Sequence, residues 1–133
     1  MNLLLDTHVW LWSQEHPERL GRRAGKLLVA AGHLNHVCAI STLEVARLIA
    51  AGHIVLSMPL QAWVQQALGE LAAQTLAVTH EIAVEAYSLP GRFHKDPADR
   101  ILVAAARLHG CTFVTADDRI LDYREVRSVD ARR

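Results

Sequence analysis

Short apolar runs alternate with amphipathic segments along this chain, and this alternation constrains the fold more than any other feature. The apolar runs have the length and composition of buried strands, and the segments between them repeat apolar residues at helical spacing. The predicted strands cover residues 3–5, 36–40, 75–78, 111–114 and 126–129, and helices are predicted to begin near Pro17, Ser41, Pro59, Glu81 and Asp96. Strands joined by helices run parallel, with helices on both faces of the sheet. We therefore expect an α/β protein: a three-layer α/β/α sandwich around a central, mostly parallel sheet of about five strands, in one domain spanning residues 1–133.

Composition narrows the functional classes. A length of 133 residues with 51% apolar side chains suits one domain with a real core. Lysine plus arginine and aspartate plus glutamate both number 14, so any nucleic-acid contact must come from a local basic patch. Cys38 and Cys111 are isolated, which favours buried apolar roles over a disulfide or a zinc site. No apolar run is long enough to cross a bilayer and the N-terminus is charged early, so we expect a cytoplasmic protein without a membrane partner.

Four acidic residues occupy equivalent positions relative to the predicted strands. Asp6 follows the first strand and Asp117 lies just beyond the fourth. Glu44 and Asp99 each fall in the first turn of a predicted helix. Because parallel strands end at the same edge of a sheet, these acids are expected to converge there.

A cluster of carboxylates is unfavourable unless a cation is bound between them, because each negative charge raises the pKa of its neighbours. Mg²⁺ and Mn²⁺ prefer carboxylate oxygen, and such an ion can activate water and polarise a phosphate. The placement of the acids therefore suggests metal-dependent hydrolysis of phosphodiester bonds.

Helix capping explains several of the same acids equally well. The run from Ser41 to Glu44 has the pattern of a capping box, with the glutamate at its third helical position. Asp96, Pro97 and Asp99 form an ideal helix start, and Asp117 is suited to cap a short helix. Only Asp6 resists this interpretation, because the Thr-His-Val-Trp segment that follows it is a poor helix start.

Four short motifs resemble the PIN-domain family, and within it the VapC-type toxins of bacterial toxin–antitoxin pairs. They cover residues 3–10, 41–44, 94–100 and 114–117, and their order and spacing agree with the family over nearly the whole chain. The resemblance implies an endoribonuclease dependent on Mg²⁺ or Mn²⁺, with RNA as substrate, that assembles as a homodimer and is neutralised by a cognate VapB-like antitoxin.

The resemblance also implies roles for individual residues. Asp6, Glu44, Asp99 and Asp117 would form the catalytic and metal-binding set, with Thr7, Asp96 and Thr115 supporting them from the second shell. The antitoxin tail would lie in an apolar groove, for which the candidates are Trp10, Trp12, Leu48 and Ile49, although all four also suit the core.

Basic residues bracket the third acidic motif. Arg47, Arg92, Lys95 and Arg100 are therefore possible RNA contacts, the alternative being a solvated basic loop. His8 and His94 stand out among the eight histidines because each is close in sequence to a proposed acid.

Other function classes find less support. The histidines lack zinc-site spacing, and no GxSxG, P-loop or GxGxxG motif is present. A haloacid-dehalogenase-like phosphohydrolase would need a second aspartate where His8 stands. The remaining alternative is a non-catalytic, receiver-like or protein-binding α/β module whose acids serve as caps and a passive metal site.

Overall fold

The computed structural model describes all residues 1–133 and contains five strands, seven α-helices and one short 3₁₀ turn. The strands are β1 (Asn2–Leu5), β2 (Leu34–Cys38), β3 (Gln74–Leu76), β4 (Thr112–Thr115) and β5 (Ser128–Asp130). The helices are α1 (Thr7–Glu15), α2 (Arg22–Val29), α3 (Ala39–Ala50), α4 (Leu60–Glu70), α5 (His80–Ala86), α6 (Pro97–His109) and α7 (Asp118–Leu121), with the 3₁₀ turn at Pro17–Arg19. No helix is both long and apolar enough for a bilayer crossing.

All five strands form one parallel sheet in the order β3-β2-β1-β4-β5. The chain builds outward from β1 to β3, then returns to the other side of β1 to add β4 and β5. In such a sheet the connections from neighbouring central strands leave in opposite directions, which opens a crevice at their carboxyl ends. The crevice here lies beyond the ends of β1 and β4.

Two apolar cores cover the faces of the sheet, so the predicted three-layer α/β/α architecture is confirmed. On one face, Leu4 and Phe113 pack with residues of α5, α6 and α7. On the other face, Leu3, Leu5 and Val114 pack with residues of α1, α2, α3 and α4. Both free cysteines, Cys38 and Cys111, are buried among apolar neighbours, as expected.

The structure has a helix, α1, where no helix was predicted. Its residues Thr7 to Trp12 are mostly β-branched or aromatic and have modest intrinsic helix propensity. Packing overrides this preference, because Val9 and Trp10 are completely buried against the sheet. Asp6 is the N-cap of α1 and accepts a hydrogen bond from the Thr7 backbone N–H, so capping applies to Asp6 as well, although the segment after it is a poor helix start by sequence.

The single helix predicted from Pro17 to Gly32 is divided in two. The chain is extended at Leu20 and Gly21 before α2 begins. A Cβ atom on Gly21 would lie 2.1 Å from the carbonyl carbon of Arg133, so glycine is needed where the two backbone segments meet. The Gly21 N–H donates to the Ala131 carbonyl at 2.9 Å, which explains why the helix is interrupted there.

The predicted capping box at residues 41–44 is also wrong. Helix α3 begins at Ala39, directly after β2, and its N-cap Cys38 makes no side-chain capping bond. Ser41 and Glu44 therefore lie inside the helix, with Glu44 in its second turn rather than its first. Their side chains are free to face Thr7 of α1.

Candidate metal centre

Asp6 connects β1 to α1 at the central crevice. The residue is 3% exposed, and its carboxylate accepts hydrogen bonds on both oxygens, from the Thr7 N–H at 2.8 Å and from the Thr115 hydroxyl at 2.6 Å. Thr115 also accepts a bond from the Asp117 N–H at 3.0 Å. The ends of β1 and β4 are thus tied together through Thr115, and its supporting role at a metal site remains a prediction.

Glu44 reaches the same crevice from α3. Its carboxylate accepts a hydrogen bond from the Thr7 hydroxyl, which lies 2.9 Å from the Ser41 hydroxyl. Thr7 therefore joins α1 to α3, and its role in orienting Glu44 at a metal site remains a prediction. Ser41 is a further member of this network that sequence reasoning had treated only as a helix cap.

Asp99 lies in the first turn of α6, as predicted. Asp96 caps this helix by accepting a bond from the Asp99 N–H at 3.0 Å, and Pro97 occupies the first helical position. The Asp99 carboxylate pairs with His94, whose Nε2 lies 2.6 Å from Oδ2, and both side chains are 15% exposed. Asp96 thus supports the site as a helix cap, and His94 joins it as a direct partner of an acid.

Asp117 is held by Arg119. Its carboxylate caps α7 by accepting the Arg119 N–H at 2.9 Å, and it also forms a two-point ion pair with the Arg119 guanidinium at 3.2 and 2.9 Å. The second guanidinium nitrogen lies 3.8 Å from Asp99. Sequence reasoning missed Arg119, although its position two residues after a capping acid was a usable signal.

The four predicted acids line one cavity of about 140 Å³, together with Thr7, His8 and Leu48. They come from four separate segments of the chain, as their placement in the sequence predicted. The coordinating atoms of His94, Asp99 and Asp117 also lie within 4.8 Å of one another. The structure therefore brings together every predicted member of the acidic set.

Burial sets the electrostatics of this cavity. Desolvation, assisted by the negative charge of nearby Asp99, raises the pKa of Asp6 to about 7 despite the opposing hydrogen bond from Thr115. Burial likewise raises the pKa of Glu44 and that of Asp99, where the hydrogen bond from His94 opposes the change. In contrast, the hydrogen bonds from Arg119 lower the pKa of the more exposed Asp117.

His8 borders the cavity without pairing closely with an acid. Its Nε2 accepts the Ala116 N–H at 3.3 Å, so the proton of the neutral ring is on Nδ1, which lies 3.6 Å from Asp6. Burial lowers the pKa of this imidazole, and its ring packs edge-on against Trp12. His8 is therefore a neutral neighbour that presents an N–H toward Asp6.

A divalent cation fits the chemistry of this donor set. Four carboxylates in a small cavity supply hard oxygen ligands, and the burial that raises the pKa of Asp6 makes its ionised form costly unless a cation binds beside it. The supporting hydroxyls of Thr7 and Thr115 already hold the carboxylates in place. Asp6, Glu44, Asp99 and Asp117 are thus the residues that could hold Mg²⁺ or Mn²⁺, with His94 as an additional nitrogen donor.

The basic residues predicted to contact RNA differ in their exposure and in their contacts within the fold. Arg47, Arg92 and Lys95 are exposed, as an RNA contact requires. Arg100 is instead engaged within the fold: one guanidinium nitrogen donates to the Phe93 and His94 carbonyls at 3.1 Å each. Its guanidinium also lies 4.9 Å from the Tyr87 ring centre. We therefore assign Arg100 to holding the loop that carries His94, rather than to RNA.

A wider groove adjoins the cavity. It has a volume of about 530 Å³ and shares His94 and Arg119 with the acidic site. Arg92 and Arg124 also line the groove, as do Asp122 and Glu125. None of the four acids lines this groove, but two of its lining residues, His94 and Arg119, contact Asp99 and Asp117 directly.

This combination of a parallel five-stranded sheet and a carboxylate cluster at its central crevice is that of a PIN domain. The PIN domain family model matches residues 3–126, and the chain belongs to this family. One relative, ribonuclease VapC22 of Mycobacterium tuberculosis, is 38% identical over 127 residues, which cover 96% of this chain and 95% of the relative.

Solved structures share the fold at much lower identity. VapBC2 from Rickettsia felis, solved bound to a promoter DNA fragment, has a TM-score of 0.71 at 13% identity and covers 97% of this chain and 98% of that one. A toxin–antitoxin complex from Klebsiella pneumoniae has a TM-score of 0.67 at 20% identity and covers 97% of both chains. VapBC-1 from nontypeable Haemophilus influenzae aligns over 100% of both chains, with a TM-score of 0.64 and 16% identity.

Proposed function

We propose that this chain is an endoribonuclease of the VapC kind, which hydrolyses RNA phosphodiester bonds with the help of Mg²⁺ or Mn²⁺. The observation that carries the proposal is the single cavity lined by Asp6, Glu44, Asp99 and Asp117. The similarity to ribonuclease VapC22 across nearly the full length of both chains supports the choice of RNA as substrate.

The chain's own residues contribute positioning and charge. Thr115 and the Thr7 N–H fix the Asp6 carboxylate, while the Thr7 hydroxyl fixes Glu44. The bound ion would supply an activated water, a polarised phosphate and a stabilised leaving oxygen. Arg47, Arg92 and Lys95 remain our candidates for contacts to the RNA backbone, because their exposed positive charges can pair with phosphates.

A VapB-like antitoxin is the partner we propose. Several structural neighbours were solved as toxin–antitoxin complexes, and this chain carries a partly apolar groove of about 400 Å³ beside α1, whose polar lining is Glu15, His16, Arg19 and His53. Trp12 lines that groove with Leu11, Ile54, Val55 and Leu56. Trp10 must be withdrawn as a groove residue because it is completely buried in the core, whereas Leu48 and Ile49 are half-buried. We further propose that the protein acts in the cytoplasm as a homodimer.

The proposed function is tested by incubating the purified chain with end-labelled total RNA in Mn²⁺, Mg²⁺ or EDTA. We expect metal-dependent cleavage by the wild type and none by Asp99→Asn, because that change removes a charge from the cavity. Glu70→Gln is the control, since this glutamate is exposed at the end of α4 and lines neither the acidic cavity nor the adjoining groove.

If the folded wild type yields no products from any RNA in either metal, the endoribonuclease proposal fails. Binding of Mn²⁺ without cleavage would instead support the non-catalytic module with a passive metal site. Equal cleavage by Asp99→Asn would remove that residue from the catalytic set.

A further inference from the structure

Arg119 lines the groove of about 530 Å³ and contacts two acids of the neighbouring cavity, Asp99 and Asp117. Its guanidinium grips both oxygens of Asp117 and approaches Asp99 to 3.8 Å. The same side chain lines the groove that contains Arg92 and Arg124. The Arg119 side chain can therefore contact either the carboxylates of the cavity or a ligand bound in the groove.

The ion pair occupies the atoms that a metal would use. The Asp117 oxygens accept three bonds from Arg119, of which two come from the guanidinium. A divalent cation and a guanidinium compete for the same oxygen lone pairs and the same negative charge. Binding of the metal at Asp117 therefore weakens the hold of that carboxylate on Arg119.

The exposure of Arg119 allows it to move away. Its side chain is 62% exposed, while Asp117 is 21% exposed, so the guanidinium can leave without opening the core. Exposed ion pairs are weak because water and salt screen them. The groove, at about 530 Å³, is within the size range of sites that bind small molecules and can accept a nucleotide.

We propose that Arg119 is an exchangeable counter-ion, which neutralises Asp117 in the metal-free protein and turns to an RNA phosphate in the Arg92–Arg124 groove once the metal is bound. This inference rests on the proposed function. It identifies the groove as the path of the RNA strand beside the cleavage site. Arginine suits this exchange because its guanidinium forms two-point contacts with carboxylate and phosphate alike.

The proposed exchange predicts that a single substitution of Arg119 will strengthen metal binding and weaken RNA binding. In Arg119→Gln, metal binding should tighten by about two- to fivefold, because an internal competitor of surface ion-pair strength has been removed. RNA binding should weaken by about three- to tenfold when a divalent cation is present, and should change little in EDTA. The variant keeps the α7 cap, which is donated by the backbone N–H of residue 119.

Two control variants separate the exchange from general charge effects. Arg124→Gln removes a groove charge that does not contact the acids, so it should weaken RNA binding without changing metal affinity. Arg22→Gln removes an exposed arginine of α2 outside the groove and should change neither.

Metal affinity is measured from the loss of the free Mn²⁺ electron paramagnetic resonance signal. RNA affinity is measured by fluorescence anisotropy of a short labelled single-stranded RNA of mixed sequence, in Ca²⁺ or in EDTA, with a gel confirming that the probe is intact. Unchanged or weaker Mn²⁺ binding by Arg119→Gln would overturn the proposal, as would RNA binding equal to wild type in Ca²⁺.

The same assays distinguish failure of the endoribonuclease proposal from failure of the Arg119 exchange. If the wild type cuts no RNA but Arg119→Gln still binds Mn²⁺ more tightly, Arg119 is a counter-ion of a non-catalytic site and its transfer to RNA is refuted. If the wild type cuts RNA and Arg119→Gln matches it in both binding assays, only the exchange is refuted.

Discussion

Asp6→Asn should stabilise the metal-free protein at neutral and higher pH, although it removes a proposed catalytic group. Asp6 is 3% exposed and burial raises its pKa from 3.8 to about 7. Because the folded protein keeps this proton up to about pH 7 while the unfolded chain releases it near pH 4, stability falls as pH rises through that window. The asparagine variant carries no such charge and should lose less stability over the same range.

The size of the effect follows from the pKa difference. A shift of about three units, at about 1.4 kcal/mol per unit, costs the ionised folded protein about 4 kcal/mol. An amide can still accept from the Thr7 N–H, but its contact with Thr115 changes, and we deduct about 1–2 kcal/mol for that loss. The net expected gain at pH 8 is about 2–3 kcal/mol.

Urea unfolding at pH 5 and pH 8 in EDTA measures this gain, with the exposed Asp122→Asn as the control. Adding Mn²⁺ at pH 8 should raise the unfolding midpoint of the wild type, because the ion binds the folded state, and should raise that of Asp6→Asn much less. An Asp6→Asn protein less stable than wild type at pH 8 in EDTA would refute the claim that Asp6 carries an uncompensated charge.

Two further substitutions test how the site is supported. Thr115→Val removes a hydrogen bond to the Asp6 carboxylate, so the pKa of Asp6 should rise further and the pH midpoint of Mn²⁺ binding should move upward. Thr112→Val, in the same strand, is the control. Identical pH profiles of Mn²⁺ binding in the Thr115→Val variant and the wild type would contradict the role of Thr115. Arg100→Gln should lower the free energy of unfolding by about 1–3 kcal/mol, because it removes bonds to two loop carbonyls, yet leave the salt dependence of RNA binding unchanged. A flatter salt dependence would return Arg100 to the RNA-binding set.

The layered fold was predictable because strand and helix periodicities are local signals. Helix α1 was not, since its β-branched and aromatic residues become helical only when Val9 and Trp10 are buried against the sheet. The strand order was equally inaccessible, because it depends on the return of the chain from β3 to the far side of β1. Local sequence carries no record of that long-range pairing.

The acidic residues show why capping and metal binding could not be separated from sequence. In the structure Asp6 and Asp117 cap helices and also line the cavity, whereas Asp96 caps α6 and stays outside it. A carboxylate at a helix start can serve both purposes, since capping uses some lone pairs and leaves others. The approach of Arg119 to Asp99 could not be predicted from sequence, because it depends on where α7 lies relative to α6.

The central claim is that the four carboxylates hold the catalytic ion, and anomalous diffraction from Mn²⁺-soaked crystals tests it most directly. We predict a manganese peak inside the cavity of Asp6, Glu44, Asp99 and Asp117, bonded to carboxylate oxygens, and its loss in Asp99→Asn crystals. Manganese bound only at exposed acids such as Asp118, in a protein that still cuts RNA, would contradict the account.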